Sequence, residues 1–354
     1  MGHIAQVAVL PAFGHRGTKS QLCALVSDDP VKRRELGDRT GVPTYDSDQL
    51  EHAIRSESIE AVYVAVPNDQ HCVFTERAAR AGAHVLCEKP MAVTVEECER
   101  MIAACEQAGV RLMIGYRLHF EPANRKAREI ARSGRLGALR LFESTFSMQV
   151  RSDNVRVDRE KGGGPLYDLG VYCIQAARML FDAEPTQVVA ASARGDDPRF
   201  REVDEAVSAV LRFPGERLAA FTCSFGASDV SSYRIVGTDA DLRLEPAYEY
   251  AEPLMHHLRE DGRVRRRTFP RRDQFAPELL HFSDCIRRGE TPEPSGIEGR
   301  VDLHVIEAIQ RSIATHAPVE LPALPRERRP EPEQEVGFHA VSKPPLVRAE
   351  SGSQ

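Results

Sequence analysis

Three residues in this 354-residue chain are of types that move a proton beside a developing alkoxide: Lys89, Asp168 and Tyr172. Lys89 stands in Glu88-Lys89-Pro90, directly after the apolar run HVLCE (84–88). An ammonium at the end of a buried strand can polarise a substrate oxygen and, with its pKa lowered, relay a proton. Asp168 and Tyr172 lie four apart in Gly162-Gly163-Gly164-Pro165-Leu166-Tyr167-Asp168-Leu169-Gly170-Val171-Tyr172. A helix there projects a carboxylate and a phenol from one face, and the glycines upstream admit a close ligand or chain. Read singly, each has a plainer alternative: a surface lysine, an acid favouring a helix dipole, a half-buried packing tyrosine.

A second set of residues suits a dinucleotide. The opening Met1-Gly2-His3-Ile4-Ala5 leads into an apolar helical run through Val7, Leu10 and Pro11. A dinucleotide-binding unit needs a strand, a G-x-G-x-x-G/A turn and then a helix whose N-terminus cradles the pyrophosphate. Gly2 and Ala5 can be the second and third small residues; the strand and the first glycine have no counterpart. The expectation is a Rossmann sheet lacking its first strand, either because the start is assigned too far downstream, which is the hypothesis preferred, or because the strand is truly absent. At the end of QLCALVS (21–27), where such a fold places a ribose-binding acid, stand Ser27 and then Lys32. A hydroxyl plus a cation suits a 2′-phosphate and favours NADP over NAD, with Asp28 and Asp29 arguing the other way. Val66-Pro67-Asn68-Asp69-Gln70-His71 follows another buried run, at the edge where open α/β sheets bind ligands.

The elements that must position these groups are legible in outline. Over residues 1–120 the runs QLCALVS, AVYVAV (61–66), HVLCE and RLMIGY (111–116) alternate with helical segments, which predicts a parallel sheet with crossover helices. Thr94-Val95-Glu96-Glu97 forms a capping box, and Cys98, Met101, Ile102 and Cys105 fall on one helical stripe. Beyond about 140 the strand candidates LRLFESTFSM, TQVVAASA, AVSAVLRF, RLAAFTCSF, YRIVG and ADLRLEP come in close succession, which predicts an antiparallel sheet. A helix starting near Gly164-Pro165 interrupts it, and two more, FAPELLHFSDCIRRG and GRVDLHVIEAIQRSIATH, close the folded part. The predicted division is an α/β Rossmann domain (1–120), an α+β domain with an open, mainly antiparallel sheet (121–321), and a Pro-rich flexible tail (322–354).

Composition narrows the function classes. Lys plus Arg number 47 against 53 Asp plus Glu, a net charge of −6, so no basic field draws the chain to nucleic acid or anionic lipid. The eight cysteines are scattered without a C-x-x-C pair, which fits a reducing, cytoplasmic setting. Neither a membrane span nor an export signal is read. His256-His257 has no carboxylate or Cys at ligand spacing, so no metal is expected.

Taken in order, VAVPNDQH, VLCEKPMAVTVEECERM, IGYRLHFEPAN and GGGPLYDLGVY resemble the Gfo/Idh/MocA family of nicotinamide-dependent oxidoreductases, most closely its glucose-fructose oxidoreductase-like branch. The similarity runs to about residue 321. It implies a Rossmann domain followed by a domain whose open sheet serves in oligomer contacts, giving a dimer or tetramer. It also implies Lys89 beside the nicotinamide and substrate with a cis Lys89-Pro90 bond, Asp168 as the motif carboxylate, and Tyr172 as acid/base where many members carry His. Ser27 and Lys32 match the branch's NADP pattern, although Asp28 replaces its usual Gly. Gly2, His3, Ile4, Pro67, Asn68, His71, Glu88, Arg117 and Arg156 match positions lining the cofactor cleft. The expected activity is hydride transfer between NADP, with NAD the other choice, and a carbinol or carbonyl carbon of a sugar or polyol. The alternatives are a cofactor-sensing regulatory protein and a dehydrogenase of a non-sugar cyclic diol.

Overall fold

In the computed structural model, which describes residues 1–325 and 336–349, the β-branched runs of the first half become five parallel strands. These are β1 (Leu25–Val26), β2 (Thr44–Tyr45), β3 (Ala61–Val64), β4 (His84–Glu88) and β5 (Leu112–Gly115). Between them lie α1 (Leu10–Ala12), continuing a wide helical turn over Ala5–Val9, then α2 (Pro30–Thr40), α3 (Leu50–Ser56), α4 (His71–Arg80) and α5 (Val95–Ala108). β1 pairs with β2, while β3, β4 and β5 form a separate sheet. Among the described residues no strand joins the two pieces, which is where a Rossmann unit has its first strand.

Local chemistry sets the boundaries of α5. Thr94 Oγ1 accepts the Glu97 amide at 3.2 Å. The Glu97 carboxylate takes the Val93 amide at 3.0 Å rather than that of Thr94, so the expected capping box is half formed. Cys98, Met101 and Cys105 are buried, and Gly109 (φ 67°) ends the helix in the left-handed conformation that glycine adopts without strain.

After α6 (Pro122–Arg132) the chain builds a nine-stranded sheet. It comprises β6 (Leu139–Ser147), β7 (Gln187–Ala193), β8 (Ala206–Phe213), β9 (Arg217–Ser224), β10 (Val230–Gly237), β11 (Ala240–Leu244), β12 (Leu254–Glu260), β13 (Arg263–Phe269) and the short β15 (Val319–Glu320). The order is β13-β12-β11-β10-β6-β9-β8-β7-β15, with β6 and β9 parallel and every other neighbour antiparallel. On β8 alternate residues Val207, Ala209, Leu211 and Phe213 are buried. The opposite face carries exposed Val189 directly across from Val210, and exposed Leu141 beside Leu218.

The helix predicted from Gly164-Pro165 forms, but its first stretch, Leu166–Gly170, is a wide π-type turn before α7 (Val171–Phe181). Gly170 is part of the reason for close packing: a Cβ there would lie 2.8 Å from Leu166 Cδ1 and 3.3 Å from Cys223 Sγ on β9. The last helices, α8 (Ala276–Arg288) and α9 (Gly296–Thr315), turn back onto the first half, α8 against Val7–Val9 and Met113 and α9 against α5 and β5.

One buried ionic network locks these pieces. Arg178 on α7 is fully buried; its Nη1 donates to Asp302 Oδ1 at 2.5 Å, its Nη2 to Glu298 at 3.2 Å, and its Nε to Glu184. Asp302 also accepts the Tyr116 hydroxyl at 2.6 Å, just beyond β5, and the Gln175 amide. Removing one member of such a network typically costs about 3–5 kcal/mol, because a charge is stranded in a low-dielectric interior.

The segment expected as a flexible tail behaves differently where it is described. Residues 338–339 form β16 (Phe338–His339) against β14 (Arg272–Asp273). Val347 is buried beside Leu25 and Leu36. The Gln6 side chain donates to the Val347 carbonyl at 2.9 Å and accepts the Val347 amide at 2.8 Å. The few aliphatics of the tail thus find an apolar seat that composition alone conceals. Residues 326–335 and 350–354 of that predicted tail lie outside the described residues.

Candidate active site

Past the C-terminal ends of β3 and β4, a cleft of about 1400 Å³ separates the parallel strands from the large sheet. Pockets for one small ligand hold roughly 300–1000 Å³, so this one has room for a dinucleotide and a second reactant. All the residues expected at the cofactor line it: Gly2, His3, Ile4, Ser27, Lys32, Pro67, Asn68, His71, Glu88, Lys89, Arg117 and Arg156. Asp168 and Tyr172 line it too.

Lys89 is brought to the cleft by β4 and the Lys89-Pro90 bond, which is cis. Its Nζ donates to Asp168 Oδ1 and to the Asp168 carbonyl, each at 3.0 Å, and sits 4.6 Å from the centre of the Tyr172 ring. Arg156 Nε takes the other Asp168 oxygen at 2.5 Å. Burial would by itself raise the Asp168 pKa, but Arg156 and Lys89 together hold it well below the usual carboxylate range. Burial would likewise push Lys89 down, yet Asp168 and Tyr172 overcome it and raise its pKa. This corrects the expectation of a lysine with a lowered pKa: the paired carboxylate keeps the ammonium charged.

The phenol is oriented by a different partner. Asp168 orients Lys89 but makes no bond to Tyr172; the Tyr172 hydroxyl accepts from Arg117 Nε at 3.2 Å. Arg117 is itself fixed by Gln274 Oε1 and the Tyr248 carbonyl, each at 2.5 Å. Phe146 and Tyr248 close round the Tyr172 ring, with centroids 5.6 and 6.0 Å away.

Other expected residues position the cleft's walls. His71 is buried with Nδ1 2.8 Å from the Pro90 carbonyl and Nε2 3.1 Å from that of Val66, so it staples the two strand-end loops. Asn68 Nδ2 donates to the Gly162 carbonyl at 2.9 Å. The glycines are required here: at Gly163 a Cβ would fall 2.5 Å from the Arg156 carbonyl oxygen, and at Gly162 (φ 71°) 2.7 Å from Val93. Glu88 accepts the Tyr63 hydroxyl at 2.7 Å, and burial raises its pKa.

The fit to a nicotinamide dinucleotide rests on groups left open toward the cleft. His3 Nε2 is buried without a partner, and the side of Gly2 that a Cβ would occupy is empty. Ser27 is anchored through its backbone to Tyr45 and Arg33, while the Lys32 side chain makes no ion pair among the described residues. Of the two acids that argued for NAD, Asp28 is turned to the Ser47 amide at 2.9 Å and Asp29 caps α2 through the Val31 amide at 2.8 Å.

Sequence reasoning missed Tyr63, Tyr248, Glu249, Tyr250 and Gln274. The alternation Tyr248-Glu249-Tyr250 was the available signal; its meaning depends on Arg117 and Gln274, which bind this segment from far along the chain. Among the described residues no group of three His, Cys, Asp or Glu side chains is placed to hold a metal, and no helix is long and apolar enough to cross a membrane. The eight cysteines are free thiols, seven of them buried.

A Rossmann-type sheet, a charged lysine and a phenol sharing one cleft define an NAD(P)-dependent oxidoreductase. Residues 1–116 match the oxidoreductase family with an NAD-binding Rossmann fold, and residues 124–243 match the GFO/IDH/MocA C-terminal domain. The chain belongs to the Gfo/Idh/MocA oxidoreductase family. It is 33% identical to D-xylose 1-dehydrogenase (NADP(+)) 2 of Haloferax volcanii, over 89% of this chain and 95% of that one. Aldose-aldose oxidoreductase from Caulobacter crescentus, crystallised with glycerol, superposes with a TM-score of 0.84 at 37% identity, covering 88% of this chain and 95% of that one. Trans-1,2-dihydrobenzene-1,2-diol dehydrogenase of Macaca fascicularis is 27% identical over 89% of this chain and 93% of that one.

Proposed function

We propose that this protein is an NADP-dependent dehydrogenase of a sugar or related polyol. The observation that carries the reading is the meeting of Lys89 with Asp168 and the Tyr172 ring across the cleft. The names of the Haloferax and Caulobacter relatives support the sugar and, for the former, NADP. When bound, the nicotinamide supplies the hydride acceptor or donor. The chain's own residues handle charge and proton. The Lys89 ammonium offers a fixed positive field to an oxygen that develops alkoxide character. The Tyr172 oxygen accepts from Arg117, which leaves its own hydrogen free to exchange with the substrate oxygen. Asp168 positions Lys89. At the far end Ser27 and Lys32 would hold the 2′-phosphate, and His3 would serve the pyrophosphate. The exposed apolar residues of the large sheet support a homo-oligomer.

The test is NADPH formation with a panel of sugars. Tyr172→Phe is expected to lower kcat by about 10²–10⁴-fold while NADPH binding is spared; unchanged turnover removes Tyr172 from the chemistry. A second reading, oxidation of a cyclic diol, draws support from the Macaca relative, and a cyclohexanediol in the panel separates the two. Tight NADPH binding with no turnover of any alcohol favours a cofactor-sensing role.

A further inference from the structure

The charged groups around the cleft divide into those already satisfied and those left open. Arg117 is used by Tyr172, Gln274 and Tyr248. Lys89 and Arg156 share Asp168, and Lys161 pairs with Asp158 at 2.8 Å. The cations near Tyr172 are therefore each held by protein acceptors.

Glu249 is the converse. It lines the cleft on the connection between β11 and β12, which is held rigidly: Arg117 binds the preceding carbonyl, of Tyr248, and Gln274 Nε2 donates to Glu249's own carbonyl at 2.9 Å. The Tyr250 ring covers Arg117, its centroid 5.3 Å from the guanidinium carbon. Beside the Glu249 carboxylate stands the Ser231 hydroxyl, whose oxygen accepts the Tyr248 amide at 2.9 Å, with the Arg117 charge nearby. An ionised carboxylate has about four acceptor positions, more than the Ser231 hydroxyl fills. Burial raises its pKa, Arg117 lowers it, and of the smaller influences Glu252 and Asp229 raise it while the Ser231 hydroxyl lowers it.

We infer that Glu249 is a specificity-determining residue that accepts hydroxyl hydrogens of the substrate, selecting uncharged polyhydroxy compounds and rejecting phosphorylated or carboxylated ones. A carboxylate takes two neighbouring hydroxyls in the manner of a bidentate acceptor, and an anionic substituent at the same place meets like charge in a poorly solvated wall. The inference rests on the sugar reading for its substrate class and extends it to a residue and a charge rule.

Binding to the full-length, NADPH-loaded protein tests it by NADPH fluorescence, with D-glucose and D-glucose 6-phosphate as probes. Wild-type protein is expected to bind glucose at least tenfold more tightly than its phosphate, and Glu249→Gln to weaken glucose by at least tenfold with NADPH affinity unchanged. Glu249→Ala provides the same comparison should the amide variant fold poorly. Equal glucose affinity in wild type and variant overturns the inference, as does preference for the phosphate or absence of glucose binding. Turnover is scored separately: a protein that binds glucose through Glu249 yet moves no hydride contradicts the dehydrogenase reading and leaves this one standing.

Discussion

The Lys89 ammonium and the Asp168 carboxylate, 79 positions apart in the chain, meet at 3.0 Å. The pair joins a strand end of the first half to the π turn of the second, and Arg156 completes it from the other side of the carboxylate. The charge and placement of Lys89 thus depend on a contact between the two halves.

Asp168→Asn keeps the shape and removes the anion. Without it burial dominates at Lys89 and its pKa falls. The alkaline limb of the kcat/KM profile is expected to move to lower pH, with a fall in kcat of about 10–10²-fold. A pH–rate series on the two proteins reads both, and an unmoved alkaline limb separates Lys89 from Asp168.

Ser27→Asp places a carboxylate where the 2′-phosphate is proposed to sit. The KM for NADP is expected to rise by at least about tenfold while that for NAD falls, since an acid there binds ribose hydroxyls and repels phosphate. Initial rates with both cofactors measure it; an unchanged ratio assigns the phosphate elsewhere.

Glu278, in the first turn of α8, is fully buried with both carboxyl oxygens lacking hydrogen-bond partners. Burial first, then Glu88, raises its pKa well above the ordinary value of 4.5, with Arg117 opposing and Asp273 adding to the rise. The folded protein therefore keeps a proton that the unfolded chain releases above about pH 4.5. Its contribution is whole below that value and is lost as pH rises toward the folded pKa. Glu278→Gln is expected to flatten this decline. Urea midpoints at about pH 5 and about pH 8 give the comparison, and equal slopes in both proteins remove Glu278 as the cause.

On the outer face of the large sheet, Val189 opposes Val210 and Leu141 neighbours Leu218. Leu218→Glu is expected to reduce the mass seen by light scattering, leaving NADPH binding within about twofold, because the face lies away from the cleft. Wild-type protein that runs as a monomer overturns the oligomer proposal outright.

What was legible in the sequence follows the range of the forces involved. HVLCE becomes β4 over residues 84–88 without adjustment, because an apolar run flanked by two parallel neighbours needs no distant information. QLCALVS shrinks to Leu25–Val26, since only β2 pairs with it. The trio Lys89, Asp168 and Tyr172 was readable as motifs, whereas the pairing of Tyr172 with Arg117 depends on where Arg117 emerges after β5. Glu249 lies in the alternation Tyr248-Glu249-Tyr250, but its setting is made by Gln274 and Arg117, which bind that segment from far along the chain. The seat of Val347 was hidden by the polar composition around it.

The paired bonds between Gln6 and Val347 tie the turn proposed to meet the dinucleotide to a residue 341 positions further along the chain. Two sites joined by a shared contact influence each other reciprocally. A ligand that steadies Gly2 to Gln6 is therefore expected to steady Val347 as well, and an environment-sensitive fluorophore placed beside Val347 is expected to report nucleotide occupancy.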